Sequence, residues 1–317
     1  MSHERRGARI HILAAKDAPI AVLLRRKPSR WSHVVRWNTE SGEWESGSWH
    51  GGRIYPLKCD LEDNGEWMTC LGAGLGGRET ANALLRPPSL EPVASAENLG
   101  TYGGGGLFTG PRTVAWSWAA LWAGWSGWKG SGKHPFSFKR LAGRTALPHN
   151  VTVNLGEVFL RRMLRTGWRV AAAGKSGQVG ELEIGGIRIL TELEFSSQPT
   201  AQHPVLRASY CGYHLQWAAK RCRLHEDFQE TDSREVRDRK WRSISFPTNY
   251  RSGAMIVYGL DGFPDLMGPE TDCAAWDSLG CLLVARFGRV ERYTLDDIKL
   301  GAPSFEGDLE LLTPPCG

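Results

Sequence analysis

A strand-like run that is interrupted by an acidic, glycine-containing turn and then resumes at an aromatic or aliphatic residue recurs along this chain. It occurs at residues 37–44, 60–67 and 276–284. Asn or Asp together with Gly supplies the positive φ that a tight hairpin turn requires, and the residue that follows returns the chain to a packed strand. A unit of this kind, repeated at irregular intervals, predicts several small β-sheets arranged radially or in a stack, rather than an enzyme fold with one signature loop.

The composition agrees with an all-β chain. Of its 317 residues 41% are hydrophobic, and 38 Gly and 14 Trp are present. Many short strands need both tight turns and large flat side chains between sheets, and this pairing of residue types meets that need. We therefore expect a single β domain over residues 1–317, large enough to bury a sizeable core.

Short strands separated by turns follow one another regularly over residues 9–71 and again over residues 272–295. Between these regions the pattern is looser. A glycine cluster is followed at residues 79–85 by a run that we interpret as a short helix, which Pro87 and Pro88 end. The densely charged segment at about residues 226–242 has no apolar periodicity and is predicted to be a long solvated loop.

The segment at residues 275–293 carries a resemblance to a known architecture. An acidic turn precedes a run of branched aliphatic residues there, and a second short turn leads to another strand. This looks like the strand-turn-strand unit of bacterial β-propeller repeats of the WD40 or TolB type, and residues 60–71 are similar. The resemblance implies an irregular β-propeller of about four to six blades, each of about 40 to 50 residues, with long loops inserted. It implies no particular activity.

Cysteine usage and hydropathy give an expectation for the cellular compartment. The seven cysteines are odd in number and widely spread, which is typical of reduced, buried thiols rather than of a disulfide framework. Lys16 and Asp17 interrupt the apolar stretch near the N-terminus, so we do not expect export. No stretch approaches the roughly 18 uncharged apolar residues that a membrane-spanning helix needs. These observations predict a cytoplasmic protein.

Charge is distributed along the chain in four alternating blocks. The net charge is +7 over residues 1–36, −6 over residues 37–111, +10 over residues 112–175 and −6 over residues 176–317. In a ring-like fold such blocks can pair with each other across neighbouring sheets. The alternative is that the block at residues 112–175 presents a basic surface to an acidic partner.

The most unusual part of the chain is a basic insert rich in Trp and Gly at about residues 112–150. Its tryptophans at positions 116, 118, 122, 125 and 128 fit one face of a strand or one face of a helix, and the glycines favour a strand that leads into a loop. The rings either pack between sheets or stack on a partner while nearby cations meet negative charge. The residues predicted to bind a partner in the second case are Trp122, Trp125, Trp128, Lys129, Lys133, Lys139 and Arg140.

Two glycine motifs resemble phosphate-binding loops. Residues 72–77 satisfy G-x-G-x-x-G, which in a dinucleotide site opens the helix of a βαβ unit. No convincing second parallel strand follows, so we favour a glycine-rich loop between blades. Residues 127–133 match the start of a P-loop, but His134 stands where Ser or Thr would hold Mg²⁺, and Pro135 prevents a normal helix start. We therefore predict a flexible hairpin tip there.

Two other sets of residues resemble metal sites. Asp60, Glu62 and Asn64 mimic the first half of a calcium loop, but Leu71 stands where the bidentate Glu is needed, so a plain turn is expected. A second set has ligand types that zinc accepts, at a spacing unlike that of familiar zinc modules. Its members are Cys211, His214, Cys222 and His225. We predict no metal and no cofactor, and leave zinc at these four residues open.

No motif marks a catalytic site, since H-E-x-x-H and G-x-S-x-G are absent from the sequence and no isolated carboxylate pair stands out. The chain is therefore predicted to be a non-catalytic protein–protein interaction scaffold of a bacterial intracellular assembly. Nucleic-acid binding through residues 112–175 is the first alternative. A propeller-type hydrolase with its site at the central channel is the second.

Overall fold

The computed structural model describes residues 7–27, 30–98, 104–117, 133–141, 151–153, 157–173, 181–184, 187–190, 192–212, 254–268 and 270–314. Within these residues the chain is mostly β and forms a five-bladed β-propeller. This confirms the expected fold class and lies within the expected range of four to six blades. None of the described helices is long and apolar enough to cross a membrane.

Four of the blades are four-stranded antiparallel sheets, and the third blade along the chain has three described strands. Blade 1 contains β1 (Arg9–Ala14), β2 (Ile20–Arg26), β3 (Ser32–Asn38) and β4 (Trp44–His50). Blade 2 contains β5 (Asp60–Leu61), β6 (Met68–Ala73), β7 (Thr80–Leu85) and β8 (Ala94–Glu97). Blade 3 contains β9 (Gly106–Gly110), β10 (Thr113–Trp116) and β11 (Ser137–Arg140).

The strands of a small additional sheet lie in the sequence before blade 4 and between its first two strands. That sheet has the order β12-β15-β14 and contains β12 (Val151–Val153), β14 (Glu181–Ile184) and β15 (Ile187–Leu190). Blade 4 contains β13 (Arg169–Ala173), β16 (Glu192–Ser197), β17 (Leu206–Gly212) and β18 (Ala254–Leu260). Blade 5 contains β19 (Thr271–Trp276), β20 (Leu282–Arg286), β21 (Arg289–Tyr293) and β22 (Phe305–Asp308).

Two α-helices are described, and both connect strands. Helix α1 (Glu157–Arg165) comes between blades 3 and 4, and helix α2 (Leu295–Leu300) joins β21 to β22. Helix α2 begins with a capping box, in which the side chains of Thr294 and Asp297 each accept a hydrogen bond from the other's backbone amide. It ends at Gly301, which adopts a φ of 69°.

The described core lies between the blades. The six residues of β7 are all buried, as expected for a strand packed on both sides. Large rings fill the spaces between the blades, among them Trp37 of β3 and Trp116 of β10, which are 0% and 3% exposed. The largest hydrophobic cluster joins blades 1, 4 and 5 to helix α1.

The first and last blades close the ring. The backbone amide of Ile10 donates a hydrogen bond to Oδ2 of Asp272 at 3.2 Å, which joins β1 to β19. The guanidinium group of Arg25 donates to three carbonyl oxygens in the segment 309–312 at distances of 2.7 to 3.1 Å. Arg25 is 1% exposed, so these bonds hold the C-terminal segment against blade 1 without competition from water.

The turns predicted from the repeated motif are present. Gly42, Gly65 and Gly280 adopt φ values of 79°, 77° and 76°. These values lie in the left-handed region, which a residue with a Cβ atom rarely adopts. The motif therefore predicted the positions at which the chain reverses direction in blades 1, 2 and 5.

The helix expected at residues 79–85 is wrong, because this run forms strand β7. It pairs antiparallel with β6, from Met68 opposite Leu85 to Ala73 opposite Thr80. The glycine cluster supplies the reversal between the two strands, since Gly74 has a φ of 78°. A short strand that is buried throughout shows no alternation of apolar and polar residues, so periodicity alone does not separate it from a helix. The charged segment at 226–242 lies outside the described residues.

Candidate functional site

Helix α1 carries two arginines into the interior of the propeller. Val158, Phe159, Leu160 and Met163 are buried and recur at helical spacing, which explains why this segment is a helix packed on one face. Arg162 and Arg165 lie in its last turn, where positive charge is favourable to the helix dipole. We call Arg162, Arg165 and the groups that they bind the α1 latch.

Arg165 joins α1 to blade 2 through carboxylates. Its Nη2 atom lies 2.6 Å from Oδ1 of Asp60 and 2.7 Å from the carbonyl oxygen of Leu61, and its Nη1 atom donates to Asp63. The other oxygen of Asp60 accepts a hydrogen bond from the amide of Phe108 in β9 at 2.8 Å. The carboxylate of Asp60, which is 0% exposed, therefore connects blade 2, blade 3 and helix α1.

Arg162 lies where several blades meet. Its guanidinium group donates to the carbonyl oxygens of Pro56, at 2.9 Å, and of Cys59, and it lies 3.2 Å from Nε2 of His11 in β1. Tyr258 of β18 and Cys273 of β19 lie close enough to interact with its charge. These partners come from blades 1, 2, 4 and 5, so the side chain of Arg162 lies in the axial region of the propeller.

Burial shifts the protonation equilibria of the α1 latch. It lowers the pKa of His11 well below the usual value of 6.5, and the charge of Arg162 lowers it further. Neutral His11 can accept a hydrogen bond from Arg162 through Nε2, in agreement with the observed distance. Burial also raises the pKa of Asp60, whereas Arg165 and the amide of Phe108 act in the opposite direction. The polar groups of the latch are thus engaged with each other.

The described part of the basic insert contributes the middle strand of blade 3, β10, and the outer strand β11. Strand β11 pairs with β10 in parallel, from Thr113 opposite Ser137 to Trp116 opposite Arg140, so these two strands are not the arms of one hairpin. The side chains of Arg112, Lys133 and Lys139 are exposed here. We call these three residues the basic edge. Among the described residues, neither lysine of the basic edge forms an ion pair.

The aromatic side chains next to the basic edge point inward. Trp116 and Phe136 are 3% and 6% exposed and pack in one cluster with Trp67 and Phe108 of blades 2 and 3. Phe138 is half-buried, and its ring centroid lies 6.2 Å from that of Trp116. For Trp116, the first tryptophan of the insert, the interpretation that the rings pack between sheets is therefore confirmed.

The residues predicted to bind a partner have different outcomes. Lys133 and Lys139 are exposed on blade 3, as a binding role requires, although their contact with a partner stays a prediction. The backbone of Arg140 pairs with Trp116 in β11, and its side chain lies outside the described residues. The remaining members of the set also lie outside them: Trp122, Trp125, Trp128 and Lys129.

The glycine motif at 72–77 begins in β6 and continues into the turn before β7. Because β6 and β7 are antiparallel, this motif joins the arms of a hairpin within blade 2 and does not open a βαβ unit. The preferred interpretation as a glycine-rich loop is confirmed, but the loop lies within one blade and not between two. Of the P-loop-like segment at 127–133, only Lys133 is described.

The metal-like sets gain no support as metal sites. The carboxylate of Asp60, the first residue of the calcium-like set, binds Arg165 and the amide of Phe108. Of the zinc-type set, the described residues include only the backbone of Cys211 in β17, so zinc there stays open. Elsewhere in the described part of the chain, no three His, Cys, Asp or Glu side chains are grouped so that they could hold a metal ion.

The residues of the α1 latch were not predicted as a site from the sequence. Asp60 was placed in a turn and no helix was assigned at 157–165, although apolar residues at positions 159, 160 and 163 follow helical spacing. The burial of Arg162 had no local signal, because its partners His11 and Cys59 lie 151 and 103 positions away in the sequence.

Comparisons with known proteins assign no family to the chain. No model of a protein family matches it. A search of curated proteins finds no match either. The function is therefore inferred from the geometry of the α1 latch and the basic edge.

Proposed function

We propose that this protein is a non-catalytic interaction scaffold that binds an acidic segment of a protein partner at the basic edge of blade 3. The observation that carries the proposal is the exposure of Lys133 and Lys139 in the most basic segment of the chain. Exposed cations attract negative charge over about 10 Å at moderate ionic strength. A propeller blade holds such residues on a rigid support, which limits the conformational entropy lost on binding.

The same segment contains cations that are not available to a partner. Arg162 is 7% exposed and the side chain of Arg165 is 18% exposed, and both bind groups of blade 2. The net charge of +10 over residues 112–175 therefore overstates the charge that a partner meets. The basic edge is one described part of this segment that a partner can reach, and Arg169 of β13 is exposed as well.

The orientation of the aromatic rings favours a protein over a single-stranded nucleic acid. Single-strand binders present aromatic faces on which successive bases stack. Near the basic edge Trp116 and Phe136 are buried, and the half-buried rings of His134 and Phe138 contact each other with their centroids 4.9 Å apart. The described rings are thus used for packing. Nucleic-acid binding remains the alternative, because the lysines would also attract phosphates.

The cellular setting and the hydrolase alternative depend on other observations. The resemblance to bacterial propeller repeats is the basis on which we propose an intracellular bacterial assembly as the setting. The hydrolase alternative requires reactive groups around an axial channel. In the described axial region Arg162 and Cys273 are buried, and the half-buried His11 binds Arg162, so this alternative gains no support.

The test is a binding titration with two labelled anionic probes, a polyglutamate peptide and an oligothymidylate of equal charge. We expect the wild-type chain to bind polyglutamate more tightly than oligothymidylate. The double variant Lys133→Gln/Lys139→Gln should bind polyglutamate about tenfold more weakly, because each exposed ion pair contributes up to about 1 kcal/mol.

The matched control is Arg289→Gln/Lys299→Gln, which removes two exposed cations from blade 5 and the helix that follows β21. Arg289 is 50% exposed and Lys299 is 65% exposed. An equal loss of polyglutamate binding in both double variants would indicate a response to net charge alone. Tighter binding of oligothymidylate, lost in the Lys133→Gln/Lys139→Gln variant, would replace the proposal with the nucleic-acid alternative.

A further inference from the structure

Two cysteines of blade 2 lie opposite each other on neighbouring strands. The register of β5 and β6 places Asp60 opposite Thr69 and Leu61 opposite Met68. One position further along the same register, Cys59 faces Cys70. Both residues are 0% exposed and both are free thiols.

The hydrogen-bond pattern identifies the kind of cross-strand pair. The amide of Glu62 donates to the carbonyl oxygen of Trp67 at 2.9 Å, so that pair is hydrogen-bonded. Hydrogen-bonded and non-hydrogen-bonded pairs alternate along an antiparallel ladder, which makes Cys59 and Cys70 a non-hydrogen-bonded pair. In such a pair the Cα atoms are about 4.5 Å apart. This separation lies within the range in which a disulfide can form, about 4.4 to 6.8 Å.

The backbone of Cys59 supports this assignment. Its amide donates to the carbonyl oxygen of Pro56 at 3.2 Å, and its carbonyl oxygen accepts a hydrogen bond from Arg162. Both groups are therefore used by partners outside β6, as required when they point away from the opposite strand. The side chains of such pairs lie closer together than those of hydrogen-bonded pairs.

The two thiols also lie close enough to influence each other. The Cys59 thiol donates to the carbonyl oxygen of Tyr55 at 3.2 Å. A hydrogen bond with Cys59, together with burial, raises the pKa of the Cys70 thiol well above its usual value. Cys273 differs, because its sulfur lies 3.7 Å from the hydroxyl oxygen of Tyr258 and 3.8 Å from the carbonyl oxygen of Ile12. The register of β5 and β6 brings Cys59 opposite Cys70, whereas the atoms that the Cys273 thiol contacts are these two oxygens.

We propose that Cys59 and Cys70 form a redox-responsive modification site, at which a small peroxide converts the two thiols into an intramolecular disulfide. One thiol attacks the O–O bond of hydrogen peroxide, becomes a sulfenic acid and releases one water. The second thiol then attacks that sulfur, the S–S bond forms and a second water leaves. The two sulfurs lose two electrons in total, and the peroxide accepts them.

The position of the pair gives this oxidation a structural consequence. The carbonyl oxygen of Cys59 binds Arg162, and the next residue, Asp60, binds Arg165. A disulfide would link to β6 the segment 56–61, which contains the groups that Arg162 binds at Pro56 and Cys59 and those that Arg165 binds at Asp60 and Leu61. The neighbouring turn at Pro56–Lys58 has no fully buried residue, and it is the side from which a molecule as small as peroxide would approach. This inference does not depend on the proposed scaffold function.

Mass spectrometry tests the proposal directly, because both cysteines lie in one tryptic peptide. Lys58 and Arg78 bound that peptide, and no Lys or Arg lies between them. The folded full-length chain is treated with hydrogen peroxide, denatured, alkylated and digested. We expect the peptide 59–78 without any alkyl label and lighter than the dithiol form by two hydrogens. Prior reduction with dithiothreitol should restore a label on each cysteine.

Three results would overturn the proposal. They are an alkyl label on both cysteines after peroxide treatment, oxidation of either cysteine to a sulfonic acid without the internal disulfide, and a disulfide from either one to a different cysteine. The variant Cys70→Ser should lose the internal disulfide. The matched control Cys273→Ser removes another buried thiol close to Arg162 and should keep it. If Cys70→Ser does not fold, the peptide of the wild-type chain still decides the question.

Discussion

The α1 latch and the basic edge belong to the same basic segment of the sequence but use their charges in opposite ways. Arg162 and Arg165 are turned inward, where they bind carbonyl oxygens and carboxylates of blade 2. Lys133 and Lys139 are exposed on blade 3. A guanidinium group presents five donors in a fixed plane, which suits several fixed acceptors, whereas a hydrated ammonium group suits a surface. Cations that belong to one basic segment of the sequence therefore do not all lie on one surface of the folded protein.

The acidic block that precedes this segment is the partner of the α1 latch. Asp60 and Asp63, which bind Arg165, both belong to the block of net charge −6 at residues 37–111. The same holds at the closure of the ring, where Lys27 of the first basic block pairs with Glu310 of the last acidic block. The contact of Lys27 with Glu310 pairs opposite charges of two blocks at the junction of the first and last blades, as one of the two interpretations of the sequence predicted, whereas Arg165 pairs them between a helix and a blade.

The largest expected effect concerns the two carboxylates that share Arg165. Asp60→Ala should lower the free energy of unfolding by about 3 to 5 kcal/mol, because it leaves a cation and the amide of Phe108 without their buried acceptor. Asp63 is 42% exposed, so Asp63→Ala should cost less than about 1 kcal/mol. Urea denaturation of the two variants measures both values. Equal losses would contradict the description of Asp60 as the centre of the α1 latch.

A second prediction concerns the pH dependence of stability. Burial, and then the charge of Arg25, lower the pKa of His33 from 6.5 to about 4. Below pH 6.5 the unfolded chain therefore binds a proton that the folded chain does not, and the free energy of unfolding falls as the pH falls toward about 4. His11 acts in the same sense, since its pKa is also lowered. Each histidine contributes a slope of up to about 1.4 kcal/mol per pH unit.

The measurement is urea denaturation between pH 7.5 and pH 5 for the wild-type chain and for His33→Gln. The variant should show a shallower fall in stability. Asp60 has a raised pKa, which acts in the opposite sense, but it is present in both chains. Its contribution therefore cancels, and the difference between the two curves gives the contribution of His33. Parallel curves would contradict the prediction.

The fold and the functional regions were predictable to different degrees, for physical reasons. The turns at Gly42, Gly65 and Gly280 were identified because a positive φ at one position favours glycine there, and glycine is visible in the sequence. β7 was mistaken for a helix because burial on both faces removes the alternation that marks a strand. Arg162 was missed because no feature of the neighbouring sequence marks an arginine whose hydrogen-bond acceptors come from a distant part of the chain.

A smaller expected effect concerns the stability of the basic edge. The double variant Lys133→Gln/Lys139→Gln should change the free energy of unfolding by no more than about 0.5 kcal/mol, since both side chains are exposed on blade 3. Thermal or urea denaturation measures this. A loss of several kcal/mol would show that the basic edge, like the α1 latch, has a structural role.

The smallest expected effect separates the two regions by their response to salt. Raising the salt concentration from about 0.1 M to 0.5 M should weaken polyglutamate binding, because screening acts strongly on exposed charges. The difference in unfolding free energy between the wild-type chain and Asp60→Ala should stay nearly constant, since buried pairs are screened much less. A matching decline of both quantities would remove the distinction between the regions.

The most direct test of this division is to remove one positive charge from each region and to titrate both variants with polyglutamate. Lys139→Gln should weaken binding about threefold with the stability unchanged, a loss typical of one exposed ion pair. Arg165→Gln should destabilise the chain but keep the wild-type affinity when measured at a temperature at which it is folded. Equal losses of affinity in the two variants, or a loss confined to Arg165→Gln, would contradict the account.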